Sequence, residues 1–398
     1  MIDTDQRLVS NGGFRQRSSE ILNAVSAAAP RGPMLILILG GVWFCFYVAT
    51  GGVFLTQRNL LLLSLQTSVV GLAAINAVML IVTRNFDLSV GSAVALVGVV
   101  LALLTVKYQC NIWVGVFIAL CCGIGMGAWQ GFWVSRMGIS SFIVTLAGML
   151  YFRGISMIAS DGATIAPLPQ DLTDLATGFL SPDWSIALIA VFAAGYLGFR
   201  GFELRRARFV DPRANYAAGL VRLFLSIAIV AAISIWIVSR QGLPYLVILV
   251  GISGVSAATL MQRTRYGTHL YAIGGNEEAA RLSGINVRRS IFWNFVIAGL
   301  GYGITGIALT ARVSGAVGGT AGLFLELDAI AAAIIGGASL SGGRGRVAGA
   351  LLGALLMGSL NNGMSLMNMP FFYQNALRGF VLLLAVSIDQ ARRSKRPA

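Results

Sequence analysis

Apolar runs of roughly 20 residues, separated by short charged or turn-rich segments, recur along the whole chain and restrict its fold more than any other feature. A run of that length can cross the hydrocarbon layer of a bilayer as a helix. Twelve such runs can be placed, at about 33–55, 60–82, 88–106, 112–135, 140–158, 184–199, 222–239, 244–262, 291–312, 325–341, 347–367 and 372–390. Only 11% of the residues are charged, against about 25% in an ordinary soluble domain, so there is no polar surface with which to cover twelve apolar helices in water. A water-soluble enzyme is excluded. The fold class is an all-α polytopic membrane protein, with about 10–12 transmembrane helices in the lipid bilayer.

The net charge of +14 takes its meaning from where the charges sit. With the N-terminus inside, all but six of the 29 Lys and Arg fall on cytoplasmic segments, and the longest outer loop, 159–183, carries Asp161, Asp171, Asp174 and Asp183 with no Lys or Arg. The basic excess therefore marks membrane orientation rather than a nucleic-acid partner. This topology gives a cytoplasmic N-terminal segment at 1–32, a transmembrane domain at 33–390 and a cytoplasmic tail at 391–398. Two inner connections exceed a simple turn: a basic insert at 200–221 and a loop at 263–290. Cys45, Cys110, Cys121 and Cys122 lie in or beside apolar runs and are expected to be small buried hydrophobes.

The two halves of the chain share a pattern at an offset of 232 residues: a glycine-rich helix ending in Gln130-Gly131 and another ending in Asn362-Gly363, each followed by a short gap and a further helix. Each unit is preceded by an acidic residue leading a small-residue helix, Asp87 in one and Asp328 in the other. The charge-derived topology runs the two units in opposite directions, as inverted repeats do. A pair of unrelated glycine-rich helix hairpins accounts for the same pattern.

No set of residues for bond-making chemistry is present. The only lysines, Lys107 and Lys395, are far from any glycine-rich phosphate loop, and the single histidine, His269, leaves no triad or metal cluster to assemble. The polar residues within the spans are amides: Gln66, Asn76, Gln130, Asn294, Asn361 and Asn362. Such groups either hydrogen-bond between helices or line a wet path for a polyhydroxylated solute. On the second reading the path residues are Asn76, Gln130, Asn361 and Asn362.

Within the loop at 263–290, Asn276 is an N-cap, Glu277 and Glu278 suit the positive end of a first turn, and Gly284 stops the helix. A two-turn helix is marginal alone in water, so this one docks on a partner or on its own protein.

These residues carry a resemblance. Glu278-Ala279-Ala280, three residues and then Gly284 resembles the EAA loop through which ABC-importer permeases contact their ATPase subunits. Asn276 to Ile285, comprising Asn276, Glu277, Glu278, Ala279, Ala280, Arg281, Leu282, Ser283, Gly284 and Ile285, is similar to the same loop in the monosaccharide branch of that superfamily, the ribose and xylose permeases. So are the stretch holding Asp87, Ser89 and Gly91, the one holding Glu326 and Asp328, the one holding Gly336 and Gly337, and Asn361-Asn362-Gly363. The length and the basic insert look most like the xylose type. The chain departs from the wider permease pattern after the loop, where residues 294–298 read Asn-Phe-Val-Ile-Ala instead of Ile-x-Leu-Pro. The resemblance implies the ABC-importer permease fold in a bacterial inner membrane, and import of a monosaccharide such as xylose. The implied partners are a second copy of the chain, a separate ABC ATPase and a periplasmic sugar-binding protein. It implies no cofactor in this chain, ATP and Mg belonging to the ATPase, and a coupling loop that tilts the spans at 244–262 and 291–312. An ion-coupled transporter or channel for small polar solutes is the other reading of the same amides.

Overall fold

A computed structural model describes residues 31–210 and 242–394. Its helices are α1 (Arg31–Ala49), α2 (Gln57–Val82), α3 (Val90–Ala102, continued by a π-helical turn to Lys107), α4 (Ile112–Ser135), α5 (Ser141–Ala159), α6 (Gln170–Thr177) and α7 (Pro182–Val210). After the undescribed stretch come α8 (Tyr245–Arg263), α9 (Arg265–Gly275), α10 (Glu277–Leu282), α11 (Val287–Val313), α12 (Leu325–Ile335), α13 (Val347–Leu366) and α14 (Phe371–Ser394). Two short antiparallel pairs tie the connections: β1 (Thr164–Ile165) with β4 (Ala316–Val317), and β2 (Phe179–Leu180) with β3 (Leu243–Pro244).

Among the described residues seven helices, α2, α3 with its π turn, α4, α5, α8, α11 and α13, are long and apolar enough to cross a membrane. Shorter apolar segments lie in α1, α7 and α14. The run at 325–341 does not form a span. Its helix stops at Ile335 after 11 residues, about 16 Å of rise, because Gly336 and the left-handed Gly337 (φ 98°) turn the chain. Two findings bear on the basic insert. The span expected at 184–199 lies in α7, which continues as helix to Val210, so residues 200–210 are helical rather than loop. The rest of the insert and the span at 222–239 lie outside the described residues. The four cysteines are half-buried or exposed rather than buried, since lipid can solvate an apolar helix face as well as a core does.

The helices interleave two inverted units, α2–α5 and α11–α14. Exchanging one set for the other maps the main packing contacts onto each other: α2 lies on α13 as α11 lies on α4, α2 on α12 as α11 on α3, and α3 on α5 as α12 on α14, while α2 and α11 meet on the pseudo-axis. The opposed directions follow from the ends of the helices. Arg84, after α2, and Ser341, before α13, meet at the loop that precedes α11. The observed packing is thus that of an inverted repeat, not of two independent hairpins.

α2 is the central helix, with 89% of its most apolar 18-residue window buried within the protein, against 22% for α8 at the rim. Where α4 crosses α11, the backbones touch through Gly123 and Gly127 on one side and Gly299 and Gly303 on the other. Only residues without a Cβ allow this approach, which supplies dispersion contact and no hydrophobic transfer.

Candidate functional site: the coupling module and the buried polar clusters

The loop at 263–290 is built of three helical pieces with explicit ends. The Thr264 hydroxyl accepts from the Gly267 amide at 3.1 Å and starts α9, a helix that the sequence reading missed. Asn276 Oδ1 accepts from the Ala279 amide at 3.0 Å and starts α10. Asn286 Oδ1 accepts from the Arg289 amide at 3.0 Å and starts α11. Gly284, at φ 83°, closes α10. The predicted helix is therefore present with its predicted N-cap and stop, shortened to the six residues Glu277–Leu282.

A small satellite core of Ile273, Ala280 and Val287, with Ala272, Ile285 and Ile291 packed against it, binds the three pieces into one unit. One phenol fastens this unit to the α12–α13 loop and another ties α9 to the start of α11. Tyr271 Oη donates to the Gly345 carbonyl at 2.7 Å and Tyr266 Oη to the Ser290 carbonyl at 3.1 Å. Burial pushes both phenols above their usual range, with the Arg346 charge opposing at Tyr271, so both stay protonated donors. His269 lies half-buried on α9. On the outward face of the unit, Glu277, Glu278 and Arg281 are exposed, and Leu282 is 81% exposed.

The amides proposed for the path separate into two groups. Asn76, Gln130 and Asn362 are buried and bonded between or within helices. Asn76 donates to the Leu72 carbonyl at 3.1 Å and rests against Gly301 of α11. Asn362 and Asn59 exchange two hydrogen bonds of 2.9 and 3.0 Å across 303 residues of sequence, with Gln66 alongside. Gln130 donates to the Ser89 hydroxyl at 2.5 Å. Only Asn361 is half-exposed; it donates to Asp328 Oδ2 at 2.9 Å and accepts from Arg378 at 2.8 Å.

Asp87, Ser89, Gly91, Glu326, Asp328, Gly336 and Gly337 of the resemblance fall at the ends of α3 and α12, while Asn361 to Gly363 lie within α13. Asp87 Oδ1 accepts from both the amide and the hydroxyl of Ser89 at 2.7 Å, and its other oxygen accepts from the Tyr302 hydroxyl, which lies 3.5 Å from Gln130. Gly91 lets the start of α3 touch the Gly322 carbonyl and Glu326 at the start of α12, where a side chain would collide. Gly336 meets the Gly349 backbone, and Gly337 makes the turn that ends α12. Two arginines within helices were missed by sequence reading. Arg153 of α5 donates to the Gly318 and Ala321 carbonyls at 3.1 and 2.7 Å, and Arg378 of α14 completes the Asn361–Asp328 chain. The signal was available: an arginine inside an apolar run has to face protein or water.

Comparison with known proteins fits this arrangement. The family model described as branched-chain amino acid transport system / permease component matches residues 59–386. The xylose transport system permease protein XylH of Escherichia coli K12 is 37% identical over 369 residues, covering 91% of this chain and 92% of that one. XylH of Haemophilus influenzae is 36% identical over 363 residues, 91% and 96% of the two chains. The ribose import permease protein RbsC of Escherichia coli K12 is 35% identical over 340 residues, 85% and 88% of the two. No solved structure matches significantly. Interleaved inverted units of apolar helices, a capped helix held out on the loop before α11 and similarity to three permeases over 85% to 91% of the chain lead to one assignment: this chain belongs to the family of transport-system permease components represented by XylH and RbsC.

Proposed function

We propose that this chain is the membrane subunit of an ATP-driven importer for a pentose, xylose or a close relative. It would work as two copies side by side in an inner membrane, with both termini in the cytoplasm. A separate ATPase docks at α10, and a periplasmic sugar-binding protein delivers the sugar from the opposite side. The observation that carries this reading is the likeness to xylose permeases over nine-tenths of the chain. The exposed Leu282 among Glu277, Glu278 and Arg281 supports it, since a large apolar side chain ringed by charge is how a compact docking contact is built.

Of the path amides, Asn361 with Arg378 is the pair in a position to meet a solute, because both are half-exposed whereas Asn76, Gln130 and Asn362 are buried. Sugar selection rests mainly with the binding protein. The test is affinity purification of the tagged chain from its own host in mild detergent. A stoichiometric P-loop ATPase is expected, and Leu282→Arg should reduce its retention about tenfold or more while leaving the amount of folded permease unchanged. A chain that purifies alone and takes up sugar under an ion gradient would overturn the proposal.

A further inference from the structure

The end of α2, the end of α9 and the loop between α12 and α13 belong to three separate parts of the sequence, and a single side chain joins them. Arg84 Nε donates to the Gly274 carbonyl at 2.8 Å and to the Ser341 carbonyl at 2.7 Å, and Nη2 donates to the Gly275 carbonyl at 2.8 Å. Gly274 and Gly275 end α9, where carbonyls have no partner within the helix and the dipole is negative, so a planar cationic fork suits them. The surrounding backbone is fitted to the junction. The Gly343 amide donates to the Val82 carbonyl at 2.8 Å, Gly343 packs on Gly275, and Gly342 and Gly343 both adopt left-handed φ, 76° and 69°.

Two properties show that this junction does more than satisfy polar groups. Arg84 is exposed, as are Gly275 and Ser341, so water could hydrate those two carbonyls at little cost. Arg84 also holds a left-handed φ of 62°, a conformation strained for any residue with a Cβ. A strained, exposed arginine contributes little to stability, yet it fixes the relative position of the three segments. One of them, α9, runs straight into α10; another ends the central helix of the first unit; the third lies between two helices of the second unit.

We propose that Arg84 is a positioning residue for coupling. It makes the end of α9, the inner end of α2 and the α12–α13 loop move as one body, so that a displacement of α10 by the ATPase reaches both inverted units together. This inference rests on the reading of the chain as an ATP-driven permease.

The test uses the full complex, permease with its ATPase and binding protein, reconstituted in liposomes, with Arg84→Gly and Arg84→Lys. Glycine removes the guanidinium while accepting the left-handed backbone without strain, so the variant is expected to fold as well as the parent. Copurification of the ATPase and basal ATP hydrolysis should stay within about twofold. Stimulation by the sugar-loaded binding protein, and sugar moved per ATP, should fall about tenfold in Arg84→Gly and less in Arg84→Lys, an ordinary size for coupling between linked sites. Full stimulation in Arg84→Gly would overturn the proposal, as would parallel loss of ATPase binding, basal hydrolysis and thermal stability, which marks a merely structural contact. Absence of stimulation in the unaltered complex would overturn the transport reading itself, and the inference with it.

Discussion

Replacing Gly123 by alanine tests the crossing of α4 and α11 directly. A Cβ built on Gly123 would lie 2.5 Å from the Gly299 carbonyl oxygen and 2.7 Å from the Gly303 nitrogen, all backbone and unable to swing away. Ordinary contact begins near 3.4 Å, so the helices must part by about 0.9 Å along a seam that has no solvent or side-chain slack. Overpacking of this kind costs about 1–3 kcal/mol, and the better helix propensity of alanine returns up to about 1 kcal/mol. The net destabilisation expected is about 1–2 kcal/mol. Gly125→Ala is the matched control: nothing lies within 4 Å of its Cβ, so only the propensity gain remains and the variant should be neutral or slightly more stable. Gly299 faces Gly123 reciprocally, its Cβ falling 2.5 Å from the Gly123 oxygen. Once one alanine has parted the helices the second meets less resistance, so the double variant should lose clearly less than the sum of the singles, by about 1 kcal/mol. Equilibrium unfolding in mixed micelles titrated with SDS reads all four proteins. Equal stability of Gly123→Ala and Gly125→Ala, or strict additivity in the double variant, would refute backbone contact at this crossing.

Two further outcomes follow from the buried polar clusters. Tyr302→Phe keeps the ring in place but withdraws the hydroxyl from Asp87, leaving the buried carboxyl group to Ser89 and Gln130, and should cost about 2 kcal/mol in the same unfolding measurement, with most of the loss restored by Asp87→Asn in the double variant. Asn59→Leu and Asn362→Leu should each destabilise by about 1 kcal/mol, because each strips the other amide of both reciprocal bonds and leaves it only the Phe54 carbonyl or Gln66, whereas the double variant should come out close to one single; additive losses would mean the reciprocal bonds do not form.

The sequence shows the membrane helices clearly wherever a polar or glycine punctuation coincides with the end of an apolar run. α4 occupies the expected 112–135 because Asn111 caps it, its side chain accepting from the Trp113 amide, and left-handed Gly138 follows it. The same rule fails at α12, where the apolar run continues through Gly336-Gly337; in a chain with 49 glycines, a turn glycine and a packing glycine look alike. It fails again at α9, whose Gly267, Thr268, Gly274 and Gly275 are poor helix formers and which is held instead by its Thr264 cap and by packing of Leu270 and Ile273. The capped end of α10 was legible because capping is local chemistry. The fate of the amides was not, because the meaning of Asn362 depends on Asn59, 303 residues away, and no local pattern carries that distance. Arg84 was invisible for the same reason: its three acceptors are backbone atoms of residues 274, 275 and 341.

The interleaving of α2 with α11–α13 also sets conditions on biogenesis. α2 enters the bilayer early in synthesis, yet the neighbours that cover it are made last, so its buried Asn59, Asn76 and Ser68 face lipid or provisional partners until more than 200 further residues have been inserted. Neither unit is a self-sufficient folding module despite their common plan. A chain interrupted between α5 and α11 would leave Asn59 without its Asn362 partner, a polar mark by which membrane quality control can tell an unfinished permease from a finished one.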